Sequence, residues 1–109
     1  MSEVPKKFQQ FTTEYPRVAK AYEDMGDAVH AAGPLDAKTR ALVKLAISVG
    51  ARLEGAAHSH VRKALSVGVT AEELRHVAVL SLPTIGLPSM MAAMSWVDET
   101  LEKEETKDR

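Results

Sequence analysis

The sequence predicts an all-α fold, a small helical bundle of about five helices in one domain covering residues 1–109. Three observations carry that expectation. Apolar residues recur at spacings of three and four and never alternate over the length of a strand. Seven of the eleven glycines and prolines, at 33, 34, 50, 68, 83, 86 and 88, cut the chain into segments of helical length. A chain of 109 residues is also long enough for one hydrophobic core and too short for two.

The first 14 residues are polar and read as a flexible lead-in, with one turn at most around Phe8 and Phe11. Pro16 suits the first turn of a helix, where its missing N–H costs nothing, and that helix should run to Ala31 before Gly33-Pro34 stops it. Asp36 is placed to cap a second helix from Ala37 to about Val49, with Ala41, Leu42, Leu45, Ala46 and Val49 on one face. Gly50 stands where a left-handed C-terminal residue is wanted.

A third helix should span about Leu53 to Val67 and stop at Gly68. Thr70-Ala-Glu-Glu73 is a capping box, with Val69 and Leu74 spaced for the accompanying staple. The fourth helix, Ala71 to about Leu82, carries the run VAVLSL at 77–82, apolar on most sides and therefore expected to be buried on most sides. After Pro83, Gly86 and Pro88 a last helix follows, with Met90, Met94, Val97 and Leu101 lining one face and Met91, Ala93 and Trp96 off it. The terminal EKEETKDR reads as a solvated charge run, flexible over residues 103–109. Two helices with more apolar surface than a small bundle can hide lead to the expectation of a homo-oligomer.

Composition excludes several functions. The formal charge is −1, with no basic stripe, and the helix after Gly68 begins with acidic residues that would repel phosphate, so nucleic acid is not an expected partner. No apolar run approaches the roughly 20 residues of a spanning helix, and the N-terminus lacks the apolar segment of a secretion signal, so no membrane partner and a cytoplasmic location are expected. There is no cysteine, which removes thiolate catalysis, disulfides and thiolate metal sites.

The chemistry-bearing stretch is EGAAHSHVRKAL, starting at Glu54. On a regular helix, at about 100° per residue, His58 and His60 diverge by about 200° and cannot share one ion. Glu54 and His58, by contrast, are four apart and within reach of each other. Two readings of that pair stand: a surface ion pair near a helix start, or part of a site. His60 lies on the face of Ala56, Ala57 and Ala64, whose small side chains leave room beside an imidazole, so it is either a core histidine bonded to a neighbour or the centre of a small pocket. His30 suits a C-terminal capping role, His76 faces solvent or a subunit contact, and the methionines fill core gaps.

The segment GPLDAKTRALVKLAISVGARLEGAAHSHVRKALSVGVTAEELRHV, residues 33–77, resembles the carboxymuconolactone decarboxylase family, which also contains the alkyl hydroperoxidase D-like proteins. The likeness rests on the LDAKTR helix entry, the HVRKALxxGVTAEEL exit and the Pro/Gly break before a last helix, and it reaches from about Tyr15 to Leu101. It implies an all-helical fold of the alkyl hydroperoxidase D-like type, with an antiparallel helical hairpin and assembly into homotrimers or homohexamers. The peroxidase branch works through a Glu, a Cys-x-x-Cys pair and a His. Aligned on His60, the cysteines would fall at Leu53 and Ala56 and the Glu at Ala41, so only the histidine remains. Cysteine-dependent peroxidase activity is not expected, because neither alanine nor leucine can attack peroxide or resolve the product.

The resemblance and the residues together point to a His-dependent lyase, decarboxylase or proton-transfer enzyme acting on a small carboxylate. His60 would be the general acid or base, His58 and Glu54 a flanking polar pair, and Arg52 and Arg62 the anion contacts; no metal and no cofactor is assigned. Two alternatives stay open: a non-catalytic oligomeric binding protein with a decayed site, and a metal-binding protein using Glu54 and His58 with a ligand from elsewhere.

Overall fold

The computed structural model describes residues 4–107, which form seven helices and no strand. By contact the chain divides into two compact units, Met1–Leu35 and Asp36–Arg109.

The first unit holds α1 (Lys6–Glu14) and α2 (Pro16–Ala31), separated by Tyr15 alone. The polar lead-in is therefore helical over most of its length, although its first three residues lie outside the described ones. An aromatic ladder explains the extra helix: Phe8, Phe11 and Tyr15 sit three and four apart, with successive ring centroids 6.1 Å from each other. Pro16 opens α2 as expected. Val18, Tyr22, Met25 and Val29 form a stripe along α2 at helical spacing, each more than half exposed.

The second unit holds α3 (Ala37–Gly50), α4 (Glu54–Ser66), α5 (Ala71–Leu80), the single-turn α6 (Leu82–Ile85) and α7 (Leu87–Lys107). Asp36 caps α3 by accepting from the Thr39 N–H at 2.8 Å. The capping box of α5 is complete: the Glu73 N–H donates to Thr70 Oγ1 at 3.1 Å, and the Thr70 N–H donates to Glu73 Oε1 at 2.9 Å. These bonds to charged carboxylates hold both Asp36 and Glu73 below the ordinary acid range.

The left-handed residue after α3 is Arg52, at φ 59°, and not Gly50, which remains helical. The chain reverses there through Arg52 N–H to Val49 O (3.0 Å) and Leu53 N–H to Ser48 O (2.9 Å). The same pair of bonds ends α4, with Gly68 at φ 92° in the equivalent place. One helix thus ends on the residue type this turn favours, and the other on an arginine that carries the cost of its Cβ.

The core of the second unit is built from α3, α4, α5 and α7. Leu45, Ala57, Val61, Ala64, Leu74, Ala78, Ala93 and Val97 are all fully buried. Four of these eight are alanines, which let the helices approach closely. Two faces differ from expectation. On α7 the buried line is Ala93, Val97, Thr100 and Leu101, with Met90 and Met94 only half-buried, so the face is rotated toward a small residue and a hydroxyl. On α5 only Leu74 and Ala78 are buried, while Val79 and Leu80 are exposed, because the helix rests on the core along one side. The charged tail continues α7 as helix to Lys107; residues 108–109 lie outside the described ones.

Candidate functional site

The two histidines of α4 lie on different seams of the second unit. Helical spacing sets Glu54 one turn below His58, and α7 packs against α4 there with Glu99 and Thr100. His58 Nδ1 is 2.5 Å from Thr100 Oγ1, while Nε2 is 3.3 Å from Glu54 Oε2 and 3.8 Å from Glu99 Oε2. Thr100 is buried, and its hydroxyl also donates to the Trp96 carbonyl one turn earlier at 3.1 Å. A rigid hydroxyl on one side of the ring therefore aims its other nitrogen at two carboxylates.

His60 faces the other way, among Ala56, Ala57 and Ala64, and is half-buried. Its ring nitrogens have no hydrogen-bond partner among the described residues. Desolvation, then the charges of Lys63 one turn on and Lys44 on α3, push its pKa down from 6.5 to about 4. Lys44 is itself held below its ordinary value, first by burial and then by Lys63 and Arg40. His60 is thus held toward its neutral form, by burial first and by two lysine charges second.

Of the residues read from sequence as one site, the structure brings Glu54 and His58 together and turns His60 away from them. The cations that act on His60 are Lys63 and Lys44. Arg62 is half-buried on α4. Arg52 lines an open groove of about 280 Å³ with Val49, Pro88, Ser89, Ala92 and Trp96. A second, mostly apolar groove of about 180 Å³ lies between α3 and α5, lined by Ala46, Val49, Val77 and Leu80 and closed by Thr84 and Ile85. Leu53 and Ala56, the places where the resemblance sets the cysteines, are the N-cap and first-turn residues of α4.

Sequence reasoning missed four residues. Lys63 was legible, three positions after His60 on the same helix face. Lys44, Glu99 and Thr100 were not, since each depends on how α3 or α7 is set against α4. Thr100 in particular looks like an ordinary polar residue of an amphipathic helix until the packing buries it.

The described residues form a small all-α protein in which one histidine of α4 meets a hydroxyl and two carboxylates and the other lies within the electrostatic reach of two lysines. The carboxymuconolactone decarboxylase family model matches residues 16–99, and the chain belongs to that family. An uncharacterized protein of Haemophilus influenzae (strain ATCC 51907 / DSM 11121 / KW20 / Rd) is 39% identical over 59 residues, 54% of this chain and 52% of that protein. The match therefore spans about half the length of this curated relative. No solved structure matches the chain. Among the described residues, no helix is long and apolar enough to cross a membrane.

Proposed function

We propose that the protein is a His60-dependent lyase acting on a small carboxylate, with Lys44 and Lys63 as the anion contacts. The observation that carries this reading is the half-buried imidazole of His60, with no hydrogen-bond partner among the described residues and within the electrostatic reach of Lys63 and Lys44. A carboxylate settling beside Lys44 and Lys63 neutralises the charges that disfavour the imidazolium, so binding itself prepares the ring to hold a proton.

In a decarboxylation the C–C bond to the carboxylate breaks and CO2 leaves. The electron pair passes into an adjacent carbonyl or unsaturated system of the substrate. The His60 imidazolium then delivers its proton to carbon, and one proton from solvent resets the ring. Lys44 and Lys63 hold the carboxylate before the bond breaks, and the solvent-facing side of the half-buried His60 ring meets the reacting carbon.

A panel of small β-keto and lactone carboxylates, assayed for CO2 release, tests this. Wild type should turn over at least one, and His60→Gln should lose about 10²-fold or more in kcat, the usual range for a proton-transfer group. Equal turnover by wild type and His60→Gln would remove His60 from the chemistry.

The protein is further proposed to act as a homo-oligomer. Ile47, Leu80, Leu87 and Met91 of the second unit are each more than half exposed, which supports burial against another copy.

A further inference from the structure

The lyase reading leaves one group of ligating side chains without a role: Glu54, His58 and Glu99. They come from α4 and α7, and one donor atom from each lies within 4.8 Å of the others. We propose that these three side chains form a binding site for a divalent first-row transition ion, with Zn2+ the best fit.

The donor spacing favours it. Two ligands about 2.0–2.1 Å from a tetrahedral Zn2+ stand about 3.3–3.4 Å apart. His58 Nε2 and Glu54 Oε2 are 3.3 Å apart, and His58 Nε2 and Glu99 Oε2 are 3.8 Å apart. The three donor atoms lie within 4.8 Å of one another, and the exposed Glu54 and Glu99 side chains are free to rotate toward a shared ion.

The far side of the ring is arranged for the same task. Thr100 donates to the Trp96 carbonyl and so receives the Nδ1 hydrogen; in the neutral ring the Nε2 lone pair is then turned toward the two carboxylates. A lone pair and two anions repel one another unless a cation sits among them. A proton on Nε2 satisfies one carboxylate; a dication satisfies both and is neutralised by them. A buried hydroxyl that fixes the tautomer of a ligating imidazole is the kind of outer-shell support that metal-binding histidines have.

The ligand set also says which ion is excluded and what the site leaves open. One imidazole and two carboxylates, with no thiolate anywhere in the chain, suit a borderline ion and not a thiophilic one such as Cu(I). Glu54 and Glu99 are 60% and 56% exposed at their side chains, so the fourth position opens to solvent and can take water or an anionic ligand. Because the ligands lie on two helices, the ion would clasp α4 to α7.

The full chain, purified without an affinity tag and stripped with chelator, is titrated with Zn2+ by calorimetry, and Co2+ is used to read coordination geometry by its visible absorption. One ion per chain, with a tetrahedral Co2+ spectrum, is expected. Glu54→Gln and Glu99→Gln, both at exposed positions that do not disturb the core, should each weaken binding by about tenfold or more. Thr100→Val should weaken it by about 10- to 100-fold while leaving all three ligands in place. Glu72→Gln, an exposed acid on α5, should change nothing. Absence of binding at millimolar Zn2+, or an affinity unchanged in both glutamine variants, overturns the site whatever the lyase assay shows.

Discussion

His58 and His60 stand two residues apart on α4 and meet fields of opposite sign: carboxylates from α4 and α7 around the first, ammonium groups from α3 and α4 around the second. About half a turn of helix thus separates a place suited to cations from a place suited to anions.

The lysines hold part of the His60 shift. Lys44→Met or Lys63→Met should raise the His60 pKa from about 4, and the double variant should raise it further, while burial keeps it below 6.5. The ring carbon and nitrogen shifts of His60, followed by NMR against pH, measure this. No movement in either variant would mean that desolvation alone sets the value.

The same shift fixes a sign for stability. A His whose folded pKa lies below its unfolded value binds more protons unfolded than folded. Its contribution is therefore fully present above about 6.5 and is lost as pH falls toward about 4. With the solvent-facing part of the ring discounted, the loss should be on the order of 1–2 kcal/mol. Denaturant melts at pH 7 and 4.5 should show His60→Gln losing less stability than wild type over that interval.

Arg52 occupies a left-handed turn that its counterpart Gly68 fills without strain. Arg52→Gly should stabilise the protein by about 0.5–1 kcal/mol. If the variant instead loses affinity for carboxylates, the strain is maintained for a contact made by the guanidinium in the groove it lines.

Thr70→Ala removes the side-chain half of the α5 capping box and should cost about 1 kcal/mol, read from the shift in urea midpoint. Leu74→Ala, one turn later and fully buried, should cost about 2–5 kcal/mol.

Local chemistry was the part of this molecule that the sequence shows well. Asp36, the Thr70 capping box, Pro16 and Gly68 act on residues within four positions of themselves, and each holds its expected place. The family likeness, and with it the helical class, rests on such signals. Aromatic spacing at Phe8, Phe11 and Tyr15 was visible too, but its polar surroundings hid the helix it supports. What failed to show was anything set by the angle between helices. The buried face of α7 is turned toward Ala93 and Thr100, and the exposed side of α5 carries Val79 and Leu80, because packing and not hydropathy decides which side meets the core. Glu54 and His58 could be paired from their spacing; Glu99 could not be added without knowing where α7 crosses. His60 could be placed on the alanine face, yet the lysine from α3 that gives it a charged neighbour belongs to another helix.

The most direct measurement of the central claim is the His60 ring titration by NMR, with and without a saturating small carboxylate. A midpoint near 4 in the free protein that rises when the anion is bound, and does not rise in the Lys44→Met, Lys63→Met double variant, is the expected result. A midpoint unmoved by any carboxylate would contradict an anion site at His60 and the lyase chemistry built on it.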